Sequence, residues 1–405
     1  MATPRAVSAP RATGSIADRP SAPSPEAVAM AGLLALAVAM GIGRFAFTPL
    51  LPMMQRDEGL SLAQGAWLAA ANYAGYLLGA LSAMRVPIRA PVAIRAALVA
   101  IGVATLGMGL THELLTWVAL RLVAGVASAW ALVFASAWSL ERLAVAGRPL
   151  LSGRVFAGVG TGIAIAGALC LAAMRAGENA AHAWLAIGAL ALTATASIWR
   201  VLAPGARRPL RPGARDEAAL SWDADAARLV ACYGAFGFGY IIPGTFLPVM
   251  ARQAIRDPLI FGWAWPLFGA AAAITPLLAA APTRRLGNRR VWMLSHVAMA
   301  IGVLLPAWSP GIPSVMAAAV VVGATFMVIT LTAMQEARAM AGARATRLMA
   351  AMTAAFAVGQ ILGPVCASYL ADGDGRFGRA LLLASAVLLA SAWLLRQRRT
   401  REAIG

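Results

Sequence analysis

Runs of roughly twenty apolar residues recur along this chain, each ended by a short polar cluster, and that rhythm leaves few folds open. A helix needs about 20 apolar residues to cross a hydrocarbon core of roughly 30 Å. Inside that core every backbone polar group has to be paired within the protein. Twelve segments meet the length: 28–52, 62–84, 93–111, 115–139, 150–174, 181–202, 226–250, 258–281, 291–308, 313–335, 347–370 and 379–396. Charged residues are only 12% of the 405 and hydrophobic ones 60%, whereas a soluble domain is about one quarter charged. The sequence therefore reads as an all-α, polytopic membrane protein.

The formal net charge of +18 is a matter of where arginines fall, because the chain contains no lysine. With the N-terminus in the cytoplasm, 26 of the 34 arginines lie in cytoplasmic segments, six in outward loops and two inside the spans. The positive-inside rule then sets sidedness and an even number of crossings. Nucleic-acid binding would need one contiguous basic surface, which arginines spread over alternate loops do not supply. Cys170, Cys232 and Cys366 all sit in apolar runs with no C-x-x-C spacing, so they read as buried packing residues, with neither metal nor disulfide expected. Residues 1–25, rich in Ala, Pro, Ser and Arg, read as a disordered cytoplasmic tail rather than a cleaved signal peptide, and 399–405 as a second tail.

The longest hydrophilic connection, 203–225, separates the sixth span from the seventh. Across it the sequence echoes itself. In 41-GIGRFAFTPLLPMM-54 and 237-GFGYIIPGTFLPVM-250, Gly41, Gly43, Leu51, Pro52 and Met54 fall on Gly237, Gly239, Leu247, Pro248 and Met250 at an offset of 196. A second echo, 141-ERLAVAG-147 with 336-EARAMAG-342, aligns Glu141 with Glu336 at an offset of 195. Two echoes at nearly one offset predict two six-helix halves, 26–202 and 226–398, running in the same sense, an arrangement found in transporters.

These phrases, with 72-NYAGYLLGAL-81, 231-ACYGAFGFGYIIPGTFLPVMAR-252, 263-WAWPLFG-269 and 359-GQILGP-364, resemble the major facilitator superfamily, and within it the YbfB/YjiJ-like branch. The resemblance covers the chain after the tail. It implies twelve helices in two pseudo-symmetric six-helix bundles, a central site, location in the bacterial inner membrane with both termini cytoplasmic, and no cofactor. The fourth span carries Arg121 and Gly125 at the spacing of the superfamily's arginine–glycine motif. Arg285, Gly287 and Arg289 in 285-RLGNRR-290 resemble the basic half of its gating loop; in the loop after span 2, Ala83 stands where that motif has an aspartate. Glu141 and Arg148 resemble the E-x6-R pattern after the fourth span of some sugar transporters. The glycine–proline pattern tied to antiport is absent from span 5, whereas G-x3-G-P occurs in span 11 at Gly359, Gly363 and Pro364.

Arg44 and Arg121 are the sharpest chemical signal. At 1.5 Å per residue both sit about 10 Å below the outer boundary, and every one of the 16 carboxylates lies at or beyond a span end. An arginine at a helix centre costs about 2.5–3.5 kcal/mol on insertion scales. Two cations roughly 10 Å apart add about 1.5 kcal/mol of repulsion at an effective dielectric near 20. One reading offsets those costs with an anionic substrate group bridging the guanidiniums. A second has Arg121 hydrogen-bonding carbonyls of span 1 that Gly41 and Gly43 free, and a third lets Arg44 snorkel. Asn72, Tyr73 and Tyr76 in span 2, Tyr240 at the place matching Arg44, Trp263 and Trp265 in span 8, and Gln360 in span 11 complete the candidate substrate-binding set. For the aromatics, packing or interface belts are the competing account, whereas a buried amide such as Asn72 or Gln360 has to find partners.

A chain without lysine cannot make the ATP-binding G-x4-G-K-[ST] loop, and no nucleophile–base set suggests an enzyme. The expectation is a monomeric secondary or facilitative transporter in the lipid bilayer, working on a small anionic or amphipathic solute by alternating access. A proton is the candidate coupling ion. A transport-inactive membrane sensor and a lipid-modifying membrane enzyme are the rival readings.

Overall fold

The computed structural model describes residues 23–203, 223–254, 263–309, 311–370 and 378–396, with side chains of the seventh helix described as far as residue 244. The expected tails, most of the linker 203–225 and the first residues of the span at 258–281 lie outside the described residues, and so does the side chain of Pro248. Every regular element among the described residues is helical. We number them α1 (Pro25–Asp57), α2 (Leu62–Ala83), α3 (Ala90–Leu110), α4 (Leu114–Val145), α5 (Ser152–Arg175), α6 (Ala180–Ser197), α7 (Ala224–Ala254), α8 (Ala264–Leu278), α9 (Asn288–Trp308), α10 (Ile312–Ala341), α11 (Ala345–Leu370) and α12 (Gly378–Arg396).

Local signals start and stop these helices. Ser24 caps α1, its Oγ accepting from the Ala27 amide at 3.1 Å, with Pro25 at the first helical position. Ser61 and Gln64 form a reciprocal capping box at α2. Gly287, at φ +80°, turns the chain from the short helix Ala280–Leu286 into α9, a conformation that costs glycine nothing.

Nine helical stretches among the described residues are long and apolar enough to cross a membrane, ten if α8 and Ala280–Leu286, bent by 51°, form one span. The distribution of side chains is that of a bilayer protein. Arg44, Asn72, Arg121, His296 and Gln360 are buried, while Leu78, Leu110, Leu115, Trp67, Trp308, Tyr369 and Trp393 are exposed. In lipid an apolar surface costs nothing, whereas a polar group has to face the interior and find a partner.

Packing repeats along the chain. α2 lies on α4, α3 on α4 and α6, and α1 on α5; later, α8 lies on α10, α9 on α10 and α12, and α7 on α11. Two extended seams join the earlier set to the later one, α5 against α8 and α2 against α11. Small residues make the first seam close: a methyl group on Gly160 would run into the backbone of Ala272 and Ala273. With no hydrophobic drive between helices in lipid, such close backbone approach supplies the contact energy.

Candidate functional site

The site begins with an irregularity in α1. Residues Ala37–Phe45 form a π-helix between two α-helical parts. Gly41 within it faces the Gly162 backbone of α5, and a Cβ at that point would collide with it. Wider turns of this kind leave carbonyls out of the α-helical ladder and recur at functional sites.

Neighbouring helices take up those carbonyls. Ser128 Oγ of α4 donates to Ala39 O at 2.7 Å. Arg121 Nη1 donates to Gly43 O at 3.2 Å and Nη2 to Arg44 O at 3.3 Å. Asn72 Nδ2 of α2 donates to Gly43 O at 3.3 Å and to Arg121 O at 3.0 Å. Gly43 leaves room for this clamp, since a Cβ there would lie 2.5 Å from Ser128 Oγ. Gly125 serves the same approach, facing the backbone of Asn72. The Arg121 guanidinium also rests 4.7 Å from the Phe47 ring centre. Both terminal nitrogens of Arg121 are therefore spent on the α1 backbone.

Arg44, the next-to-last residue of the π segment, is 4% exposed. Its guanidinium lies 3.9 Å from the ring centre of Tyr76, 5.5 Å from Phe45 and 5.8 Å from Tyr73, distances of cation–π contact. Nη2 donates to Gln360 Oε1 of α11, and Gln360 Nε2 in turn donates to Tyr240 Oη of α7. Among the described residues Nε and Nη1 have no hydrogen-bond partner, and no carboxylate pairs with Arg44 or Arg121.

Beyond Gln360 stands a wall of rings from the later helices. Tyr240 stacks on Phe356 at 5.4 Å and 13°, with Phe326 at 4.8 Å. Phe236 lies against Tyr240, Phe326 and Phe356. Among the described residues three ring pairs cross from the earlier helices to the later: Phe45–Phe326 at 5.8 Å, Phe45–Trp265 at 6.1 Å and Tyr76–Phe356 at 6.4 Å.

Of the nine expected substrate-binding residues, Arg44, Tyr73, Tyr76, Tyr240, Trp265 and Gln360 come together here, and Arg121 and Asn72 lie beneath them on the α1 backbone. Trp263 does not join them. It sits at the N-terminal end of α8, half exposed, with Arg175 5.7 Å from its ring centre. Phe45, Phe236, Phe326, Phe356 and Ser128 belong to the cluster and carry no sequence signal beyond being apolar or small within a span; the position of Phe45 beside Arg44 is the one available hint.

At the arginine-rich end, Arg289 Nε donates to Glu336 at 2.6 Å, and both of its terminal nitrogens reach the Asp225 carboxylate, which also accepts from Arg228 at 3.1 Å. Glu141, the counterpart of Glu336, is exposed, and Arg148 pairs with Glu26 at 3.0 Å. Arg285 is exposed. Gln335 Nε2 of α10 donates to Ser152 Oγ of α5 at 2.8 Å across the join between the two helix sets. Both residues line a cavity of about 280 Å³ with Arg284 and Arg338. Gly237 and Gly359 meet at the α7–α11 contact, with Gly363 beside Ile241 and Gly239 against Leu388. Pro52 and Pro364 lie inside their helices. Among the described residues no three His, Cys, Asp or Glu side chains gather into a metal-binding group.

The architecture is similar to that in the crystal structure of the human organic anion transporter MFSD10 (TETRAN), with a TM-score of 0.73 over 92% of this chain and 100% of that one. At 15% identity the likeness is one of fold. No curated protein matches the chain in sequence. The family described as "Uncharacterised MFS-type transporter YbfB" matches residues 36–396, from the residue before the π segment of α1 to the end of α12, and the chain belongs to that family of MFS-type transporters.

Proposed function

We propose that the protein is a secondary transporter that carries a small organic anion across the bacterial inner membrane by rocking two six-helix halves about Arg44. The observation that carries this reading is the buried Arg44 guanidinium, with no carboxylate partner and two unpaired N–H donors. An unsatisfied buried donor costs about 1–3 kcal/mol, and more when the group is charged. A substrate carboxylate offers two acceptors in the plane that a guanidinium fork matches. Gln360 and Tyr240 of the later half complete the site on its far side, so closure of the halves and capture of the anion are coupled.

Twelve crossings follow if α8 with its bent continuation is one span, if the turn Gly342–Arg344 divides Ile312–Leu370 into α10 and α11, and if the 22-residue α2 also crosses. The repeated packing pairs support halves of six helices each, α1–α6 and α7–α12. Arginine-rich loops on one side support cytoplasmic termini. The absence of lysine rules out the P-loop route to ATP energy, which leaves an ion gradient, with the proton as candidate, or the substrate gradient itself. A monomer suffices, because both faces of the site come from one chain.

The test is reconstitution of the purified protein in proteoliposomes and measurement of carboxylate uptake with wild type and Arg44→Gln. Uptake by wild type and its loss in a variant that still elutes as a single folded species supports the proposal. Equal uptake by the two removes Arg44 from the site.

A further inference from the structure

We infer that the transported anion is an aryl monocarboxylate, a single carboxylate borne on or next to an aromatic ring. The inference rests on the anion reading of Arg44 and adds the charge and shape of the ligand.

Charge comes from the hydrogen-bond inventory. The structure holds two cations side by side, but Arg121 has committed both terminal nitrogens to the carbonyls of Gly43 and Arg44. Among the described residues Arg44 keeps Nη1 and Nε without a partner, whereas Arg121 keeps only Nε. Gln360 takes one of the two N–H groups of Nη2, and the other completes a single two-donor fork with either Nη1 or Nε, enough for one carboxylate. A second carboxylate on the same molecule would meet no second free fork: Arg121 keeps only Nε, and the other unpartnered donors of the cluster, Tyr76 Oη and Trp265 Nε1, are single and neutral, so its burial is unfavourable.

Shape comes from the rings beside that edge. Tyr76 covers one face of the Arg44 guanidinium at 3.9 Å, and the next ring, Phe356, is 6.4 Å from Tyr76. Phe356 continues into Tyr240 and Phe326. Among the described residues three ring pairs join the earlier helices to the later ones, and a rocking motion that parts the halves at this level has to break them. Breaking them bares ring faces within one ring's length of the free N–H groups. A flat aromatic body restores those stacking contacts from both sides, and edge or offset stacking is worth more than its area alone. A saturated ring of equal volume has no such faces.

The experiment uses the full-length purified protein in detergent and reads the affinity of benzoate, phenylacetate, cyclohexanecarboxylate, hexanoate, phthalate and benzamide by calorimetry, with thermal stabilisation as a second readout. Benzoate or phenylacetate is expected to bind roughly five- to tenfold more tightly than cyclohexanecarboxylate or hexanoate, the scale of an aromatic pair. Phthalate and benzamide are expected to bind at least about tenfold more weakly than benzoate. In Phe356→Leu the preference for the aryl acid should shrink to about twofold while carboxylate binding persists; Phe326→Leu gives the same comparison if the first variant does not fold. Aliphatic acids binding as tightly as aryl acids, or phthalate binding more tightly than benzoate, would overturn the inference and leave the anion reading standing. Failure of every carboxylate to bind, or benzamide matching benzoate, would overturn both.

Discussion

Arg44 and Tyr240, which occupy matching places in the two halves of the sequence echo, meet on one side chain: Gln360 accepts from the guanidinium and donates to the phenol. The duplicated phrase thus reappears as a physical junction, with a charge on one side, a neutral hydroxyl on the other and an amide between them. An amide is suited to the place because it accepts through one end and donates through the other.

Gln360→Leu keeps the volume and removes both functions. Arg44 then loses its one side-chain acceptor, and the expected cost is about 1–3 kcal/mol of stability together with loss of substrate-dependent stabilisation. Chemical unfolding in detergent, followed with and without ligand, checks both. Unchanged behaviour would mean that the bridge carries no weight.

Arg121→Lys tests whether this cation serves the α1 backbone. A lysine ammonium is a point charge and does not reproduce the fork that spans the carbonyls of Gly43 and Arg44. The variant should be less stable by at least about 1.5 kcal/mol, the lower range for a charged hydrogen bond. Amide exchange should rise within residues 37–45, where the π turns lose their outside donors. If exchange in that segment stays at the wild-type rate, the clamp is not what holds it.

Gly160→Ala addresses the seam between α5 and α8. The added methyl meets the backbone of Ala272 and Ala273, which has no rotamer to yield, so a destabilisation of about 1–3 kcal/mol is expected from overpacking. Gly378→Ala is the control: its Cβ meets nothing within 4 Å, and surface changes of this sort stay within about 0.5 kcal/mol. Thermal midpoints of the two variants side by side decide the matter, and equal midpoints would refute the close seam.

Arg289→Gln leaves the Asp225 carboxylate, 6% exposed, without its two-pronged partner and Glu336 without its 2.6 Å contact. Breaking one member of a buried charge set costs about 3 kcal/mol or more, moderated here because Arg228 remains on Asp225. The corresponding change at Arg285, which is exposed, should be near neutral. A denaturant titration of both variants gives the comparison, and similar midpoints would show that the network adds nothing.

Much of the molecule is legible in the amino-acid order because crossing a membrane is a local test. Twenty consecutive residues either are apolar enough or are not, so the helical class, the intramembrane arginines and the arginine-rich loops follow from windows of sequence. The segment expected at 62–84 is the 22-residue helix α2, although with Gln64, Asn72 and many alanines it is not among the nine stretches that qualify by length and apolarity; its polar Asn72 is buried against α1 and α4.

What tertiary structure alone decided is the division of labour between the two arginines. On sequence Arg44 and Arg121 share charge and depth with no carboxylate inside a span, and the reading of Arg121 as a partner of span 1 carbonyls stands beside the bridging anion without a way to choose. They part company because α1 departs from the α-helical ladder at Ala37–Phe45, and the carbonyls it releases lie across from Arg121, 78 and 77 residues away along the chain. Arg44 instead points to a partner 316 residues distant and to the rings of Tyr73 and Tyr76 on α2. Hydrogen bonds and ring contacts depend on geometry within a few tenths of an ångström, and no window of neighbouring residues contains that geometry. Whether a buried cation is spent on the backbone or left free for a ligand is settled only when the helices have packed.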